Sequence, residues 1–471
     1  MTTTIELEQR LHAAYARHEH DPHDLANVSA ICDTLIALTR EDELLPWADR
    51  ALALGAQHPD FLAMRACALD LQGRHVEAVE TRAHDPSMSS EPALSRLRLG
   101  YSLMMAGDLE RAIPQLDEAR QRSASATPRI VATAGHLLGE AMLKAADTRG
   151  FAHWLKRNES GDAASYRPVG VAEWAGESDL RDRRVLITHQ LGFGDNFLLA
   201  ACVADWRAAG ATVMITCDPQ AHALMQASLP ECEVVSAKRP SASHGALPDA
   251  VQLRVEAFAP HLYATLLHLP LLSAARQPSG FRFRPYMRAP HAEQQIAAEW
   301  ARQLREQHPG KRLVGLFWDC YQRHLPHVGS TMRCWATRRS LPLGALNRIV
   351  TDSFLSDRIR FVNLHHPVTE AAAGAPAGDV DRYLPGIHFF DDTAACIGEL
   401  DAVVAVDSAV ANLAAMMGKP TCVPLNTSGD WRWGRHGTAS PWVKGVTVLR
   451  QTHEGDWGPV VENAATWLAM Q

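Results

Sequence analysis

At 471 residues the chain is too long for a single hydrophobic core and calls for about three domains of ~150 residues each. Hydrophobic residues at 46% and charged residues at 21% are globular values, and a net charge of −7 gives no electrostatic case for nucleic acid, whose binders carry a basic footprint. Nine cysteines without a Cys-x-x-Cys pair suit reduced thiols better than a disulfide framework or a zinc site. The N-terminus lacks an apolar signal-peptide core, and no uncharged apolar run reaches ~18 residues. The expectation is a soluble, cytoplasmic protein with no transmembrane segment and no nucleic-acid partner.

Residues 1–155 are rich in Ala and Leu at helical spacing and poor in β-branched residues, which predicts an all-helical domain. Within it Arg65–Val79 aligns with Leu99–Ile113, so that Gly73 and Gly107, and Ala78 and Ala112, are each 34 residues apart. Gly139–Asp147 reads as a third, degraded copy, and Leu45–Leu54 as the second helix of an earlier one. Period and small-residue pattern resemble a tetratricopeptide array, in which Gly turns each hairpin and the stacked hairpins hold a peptide or protein in a groove. The alternative is a helical bundle with a purely structural role.

Residues 156–182 are polar, with Gly161, Pro168, Gly170 and Gly176, and read as a linker. Residues 183–290 read as a first Rossmann-like domain. Its strand Arg184–Thr188, loop His189–Asp195, helix Phe197–Ala209 and strand Thr212–Cys217 make a βαβ unit, and hence a parallel sheet. The loop Gly192-Phe193-Gly194-Asp195 has Phe197 where a dinucleotide fingerprint needs its third glycine, so NAD is not expected although Asp218 lies downstream. Ser236–Asp249 reads as an exposed loop, Leu266–Leu272 and Pro285-Tyr286 close the domain, and Pro278–Pro290 is the passage to the next.

Residues 291–471 read as a second Rossmann-like domain, with short strands at Arg312–Trp318, Arg360–Leu364, Ile387–Phe390, Ala402–Val406, Thr421–Leu425 and Val446–Leu449, and a last helix Gly458–Met470. Two such halves in tandem enclose a cleft that their carboxyl-end loops face. The sharpest junction is Ala402–Pro420. After its valine-rich strand, Asp407 and Ser408 bring N-cap chemistry, and apolar spacing turns helical through Val410, Leu413, Ala414 and Met417. Gly418 ends that helix and Pro420 prevents its continuation. Free N–H groups and the helix dipole at such a start attract phosphate, though an ordinary capped βα junction has the same residues.

Several motifs stand in a characteristic order: Gly192-Phe193-Gly194-Asp195, Val314–Trp318, Arg338-Arg339-Ser340-Leu341-Pro342-Leu343, Asp407–Ala414, Asp430-Trp431-Arg432-Trp433, Ser440-Pro441-Trp442 and Gly455-Asp456-Trp457. The set resembles the tetratricopeptide-repeat glycosyltransferases related to the ADP-heptose:lipopolysaccharide heptosyltransferases, over residues 183–471 and, with the repeats, over nearly the whole chain. The resemblance implies α plus α/β architecture: tetratricopeptide-like helical repeats followed by two Rossmann-like domains in the GT-B arrangement. It also implies catalysis without a metal or other cofactor, with a nucleotide-diphosphate sugar as co-substrate.

By that resemblance Asp195 is the general base that takes the acceptor hydroxyl's proton; the residue alone is equally a helix cap. Arg339, or Arg338, matches the basic position that neutralises the donor diphosphate. Ser408 with the amides of Ala409 and Val410 matches the phosphate-binding helix start, and Asp407 orients that loop or touches the sugar. Asn412 stands where the family commonly has His, and Asn carries neither a proton nor a charge. Gly194, Trp318 and His366, the last as a substitute for the missing His, complete the candidates. Trp431 and Trp433, flanking Arg432, either stack on a base or sugar or pack a loop onto the domain. Asp379-Val380-Asp381 has the Asp-x-Asp form of metal-dependent transferases without further oxygen ligands nearby, and Cys320, His324, His327 and Cys334 fit no standard zinc spacing. The expected function is transfer of a sugar to an acceptor hydroxyl, on a protein held by the repeats. The alternatives are a retired transferase serving as a scaffold, favoured by Asn412, and a transferase acting on a glycolipid, for which Phe281-Arg282-Phe283-Arg284 is the one apolar and basic cluster.

Overall fold

The computed structural model describes residues 3–471 apart from 56–58, 86, 123–126, 161–163, 240–244, 278–279 and 326–327. Gly161 of the expected linker, the middle of the Ser236–Asp249 loop, Pro278 and His327 lie outside the described residues. The chain divides into two compact units, residues 1–134 with 320–340, and residues 135–319 with 341–471.

The first unit is helical. Helices Thr4–His20, Leu25–Ala37, Leu45–Ala53, Pro59–Leu71, His75–Ala83, Pro92–Ala106 and Leu109–Gln121 follow one another, each in contact with the next. Their starts are capped as the composition suggests: Thr3 and Glu6 form a reciprocal capping box, and Asp24 and Asp108 accept first-turn amides. The hairpin turns repeat in conformation. Thr39, Gly73 and Gly107 stand 34 residues apart and all have positive φ (55°, 81° and 85°). At each, the next amide reaches back five residues, Arg40 to Leu35, Arg74 to Leu69 and Asp108 to Leu103, at 2.9 Å. Ala146 (φ 62°) closes a fourth such turn by the same bond, Asp147 to Met142, also 2.9 Å. Only two of the four turns use glycine, so the sequence repeat is visible at two and hidden at two.

The helix Ser330–Arg339 also belongs to this unit. Ser330 Oγ donates to Glu41, Arg333 Nη2 pairs with Asp42 at 2.8 Å, and Arg338 Nη2 meets His75 Nε2 at 3.0 Å. Behind His75 stands a buried network: His75 Nδ1 lies 2.9 Å from Asp70 Oδ1, while Arg82 Nη2 and Ser102 Oγ reach Asp70 Oδ2 at 3.0 and 2.7 Å. Satisfied buried charge of this kind fixes one arrangement of the helices that carry it.

The second unit holds two parallel sheets. In the first, β1 (Ala172–Glu173), β2 (Arg184–Thr188), β3 (Thr212–Cys217), β4 (Glu233–Ser236) and β5 (Leu262–Thr265) lie in the order β1-β5-β2-β3-β4. In the second, β6 (Arg312–Phe317), β7 (Ile359–Asn363), β8 (Val380–Arg382), β9 (Ala402–Ala405), β10 (Thr421–Leu425) and β11 (Val446–Arg450) lie in the order β11-β10-β9-β6-β7-β8. The pairings between these strands are all parallel. The order reverses beside β2 in one sheet and between β6 and β9 in the other, and open α/β sheets bind ligands at such reversals, beyond the carboxyl ends of the strands. One apolar core runs from Leu143, Phe151 and Trp154 through both sheets.

Several expectations are corrected. The helical segment does not end as one body at 155: Gly139, Phe151 and Trp154 pack within the sheet-bearing unit. The 156–182 stretch is not wholly a linker, since Ala172–Glu173 adds an edge strand to the first sheet. Ile387–Phe390 is not a strand. Asp392 Oδ2 accepts the His388 and Phe389 amides at 2.9 and 3.0 Å and so starts the helix Phe390–Glu399, while the edge of the sheet is Val380–Arg382. The Phe197–Ala209 helix starts at Phe193 and breaks at a 3-10 turn, Ala200–Cys202.

Candidate functional site

The first junction follows β2. Leu191 has φ 66°, a left-handed conformation unusual for Leu, and its carbonyl accepts from Arg239. Gly192 then caps the helix Phe193–Leu199, and Asp195 stands in its first turn, its Oδ2 accepting the Gly192 amide at 3.1 Å. Asp195 therefore is a cap. It also has a second partner, because its Oδ1 pairs with Arg432 Nη2, leaving the side chain 18% exposed. Around this loop Arg239 Nε lies 2.9 Å from Asp218 Oδ2, and the Arg239 guanidinium stands 4.9 Å over the Phe193 ring. His189 is buried with Nδ1 2.7 Å from Thr216 Oγ1, and burial pushes its imidazole down to about 4.

The second junction follows β9. Asp407 is buried with Oδ1 accepting the Trp433 indole N–H at 2.8 Å. Ser408 caps the helix Ala409–Met416, its Oγ accepting the Ala411 amide at 3.3 Å. The amides of Ala409 and Val410 are, by position, among those an α-helix leaves without an intrahelical acceptor.

The two junctions touch. A Cβ at Gly194 would lie 2.9 Å from Asn412 Nδ2 and 3.3 Å from Ala409 Cα, so the missing side chain lets the two helices cross near their starts. Asn412 is thereby part of the contact: it is buried, and its Nδ2 donates to the Ser408 carbonyl at 2.8 Å. The structure thus brings Asp195, Gly194, Asp407, Ser408, Ala409, Val410 and Asn412 together.

The remaining candidates have other partners. Arg338 and Arg339 lie on the last turn of the helix Ser330–Arg339 in the first unit, with guanidiniums 5.8 and 5.4 Å from the Trp335 ring. Trp318 is core, its indole N–H 3.4 Å from the Ala373 carbonyl. His366 caps the helix Pro367–Ala373, its Nδ1 accepting the Val368 amide at 3.1 Å. Its neighbour His365 stacks 4.1 Å from Phe317, and burial pushes it down to about 3. Trp431 and Trp433 are both fully buried and pack their loop onto the domain, Trp431 edge-on to Trp154 at 5.2 Å and to Phe151 at 5.9 Å. Phe281 and Phe283 join the same aromatic cluster, so the Phe-Arg-Phe-Arg stretch presents no apolar face outward. Asp379 and Asp381 both pair with Arg360. A surface cavity of about 330 Å³, lined by His18, Pro22, Pro46, Trp47 and Arg50, holds none of the expected site residues.

The residue that sequence reasoning missed is Arg432. It was named only as the residue that Trp431 and Trp433 flank, and nothing in its motif points to Asp195, 237 residues away. No helix among the described residues is long and apolar enough to cross a membrane.

No protein-family model matches the chain. It is 26% identical over 331 residues to Protein FlbA of Caulobacter vibrioides, covering 65% of this chain and 49% of that protein, so the chain spans about half the length of the curated relative it matches. Among solved structures it is similar to a glycosyl transferase family 9 protein from Veillonella parvula (TM-score 0.44, 12% identity, 63% of this chain and 100% of that one). It is also similar to ADP-heptose lps heptosyltransferase II of E. coli (0.40, 12%, 61% and 99%). A third is the O-GlcNAc transferase of Thermobaculum terrenum (0.29, 15%, 100% and 92%). At such scores the likeness adds nothing to what the two parallel sheets establish about the architecture.

Proposed function

We propose that the chain is a glycosyltransferase that moves a sugar from a nucleotide-diphosphate donor to an acceptor hydroxyl without a bound metal or cofactor. The observation that carries the reading is the crossing at Gly194, which sets the Asp195 carboxylate beside the Ser408-capped helix start, each beyond the carboxyl end of a strand at a reversal of sheet order. Asp195 takes the proton of the acceptor hydroxyl as its oxygen attacks the anomeric carbon. The bond to the diphosphate breaks, and the amides of Ala409 and Val410, with the helix dipole, hold the departing charge. The helical hairpins, read as a tetratricopeptide-like array, hold a protein acceptor.

A second reading has its own support. Because Asp195 is already paired with Arg432, the sheet-bearing unit is on that view a retired transferase and the helical array does the work. A thermal-shift panel of nucleoside diphosphates and their sugars, followed by a transfer assay with the hits, separates the two. The transferase reading expects one base to stabilise the chain, by about 2.7 kcal/mol at a hundredfold excess over Kd. A chain stabilised by none of them supports the retired reading.

A further inference from the structure

We propose that Arg432 is a positioning residue for Asp195, holding the carboxylate for proton abstraction, and does not itself take the donor's diphosphate; the proposal rests on the transferase reading above. The carboxylate is gripped at both oxygens, Oδ2 by the Gly192 amide at 3.1 Å and Oδ1 by Arg432 Nη2. Two points of attachment remove its rotation about the Cβ–Cγ bond and fix the lone pairs that remain.

Arg432 is held at least as firmly. Its Nη1 pairs with Asp430 Oδ1 at 2.7 Å, its amide donates to the same oxygen at 3.1 Å, and its carbonyl accepts from Ser440 Oγ at 2.7 Å. The guanidinium lies 5.1 Å from the ring of Trp431, itself locked in the aromatic cluster. Its side chain is 9% exposed. One residue on, Trp433 is tied to Asp407, so the turn Trp431–Trp433 bridges the two junctions. The turn is anchored from below by Lys144, whose Nζ donates to the Ser428 and Gly429 carbonyls at 3.1 and 2.9 Å.

A buried guanidinium is costly unless its charge is used. This one has a carboxylate at each end, which leaves it poorly placed to bind an incoming phosphate. The charged groups around it are Asp195, Asp430, Arg157 and Glu140, with Asp407 and Lys144 beside Asp430. Burial lowers Arg432, and Arg157 lowers it further against Glu140; burial raises Asp430, and Asp407 and Glu140 raise it further against the Arg432 amide and Lys144.

The test uses the full chain, with kcat and KM for the best donor of the panel and the pH profile of kcat/KM for wild type, Arg432→Met and Arg432→Lys. Arg432→Met is expected to lower kcat about 10- to 100-fold, leave donor KM within about twofold, and move the acidic limb to higher pH, because the cation that favours an ionised Asp195 is gone. Arg432→Lys keeps the charge but not the fork, so it should leave the limb in place and recover part of the rate. A rise in donor KM that accounts for the whole loss in kcat/KM, with an unmoved limb, would make Arg432 a donor ligand and overturn the proposal; so would an unchanged kcat. Should Arg432→Met fail to fold, Arg432→Lys decides: lowered kcat at unchanged donor KM supports positioning, and wild-type kinetics overturn it. A wild-type chain silent with every donor overturns the transferase reading and this proposal with it, whereas an active wild type with indifferent variants overturns this proposal alone.

Discussion

The two strand-to-helix junctions of the sheet-bearing unit are built on one plan and finished differently. Both follow a strand beside a reversal of sheet order, and both start a helix within three residues of a capping side chain. At the first, the cap is a carboxylate three residues into the helix, and its charge is matched by a buried arginine. At the second, the cap is a neutral hydroxyl, with a carboxylate one residue earlier turned toward an indole. Equal geometry with unequal caps is what the transferase reading proposed above uses: on that reading the arginine-paired carboxylate of the first junction takes a proton and the amides of the second receive negative charge.

Replacing Asp195 by Asn separates the junctions most sharply. The amide keeps a cap acceptor but cannot take a proton, so transfer should fall about 10²- to 10⁴-fold while nucleotide-induced thermal stabilisation survives. Equal loss of both in paired assays would merge the two roles. Trp431→Ala comes next. It empties part of the cluster behind Arg432 and should cost about 3–5 kcal/mol in urea unfolding, without the base-dependent change in affinity that a stacking platform would give.

The first junction also carries an acid sensitivity. His189 directly follows β2, and its folded value of about 4 lies below the ordinary 6.5, so the unfolded chain takes the proton first. Stability is therefore complete above about pH 6.5 and is lost as pH falls toward 4, by about 3 kcal/mol from this residue. Urea midpoints at pH 7 and 5 measure it. His189→Gln should flatten the slope only in part, because His365, held at about 3 by burial, contributes the same sign. The smallest effect belongs to the second junction, where Ser408→Ala should cost about 1 kcal/mol of stability and weaken nucleotide binding, with kcat at saturating donor little changed.

The order of elements and the two junctions were legible in the sequence because each is a local pattern. A valine-rich run, a capping residue and a helical spacing fall within twenty residues at Ala402–Pro420, and the coordinates keep that strand and helix nearly to the residue. The hairpin period was legible where glycine marks the left-handed turn and illegible at Thr39 and Ala146, where the same backbone is adopted by residues that carry no such signal. The Asp195–Arg432 pair spans two distant motifs, so spacing could not reveal it. The unit to which Arg338 and Arg339 belong was not legible, because a basic pair after a strand looks the same whether its helix stays in the sheet's unit or docks on Glu41, Asp42 and His75. The burial of Asn412 against Gly194 and its bond to the Ser408 carbonyl were not legible, because the partner across the crossing lies on a distant motif.

The most direct measurement is a crystal structure of the full chain with the nucleoside diphosphate that stabilises it most. The account predicts the diphosphate on the amides of Ala409 and Val410, within reach of a sugar whose anomeric carbon faces Asp195. A diphosphate bound elsewhere, with the Ser408 helix start and Asp195 unchanged and unvisited, would contradict it.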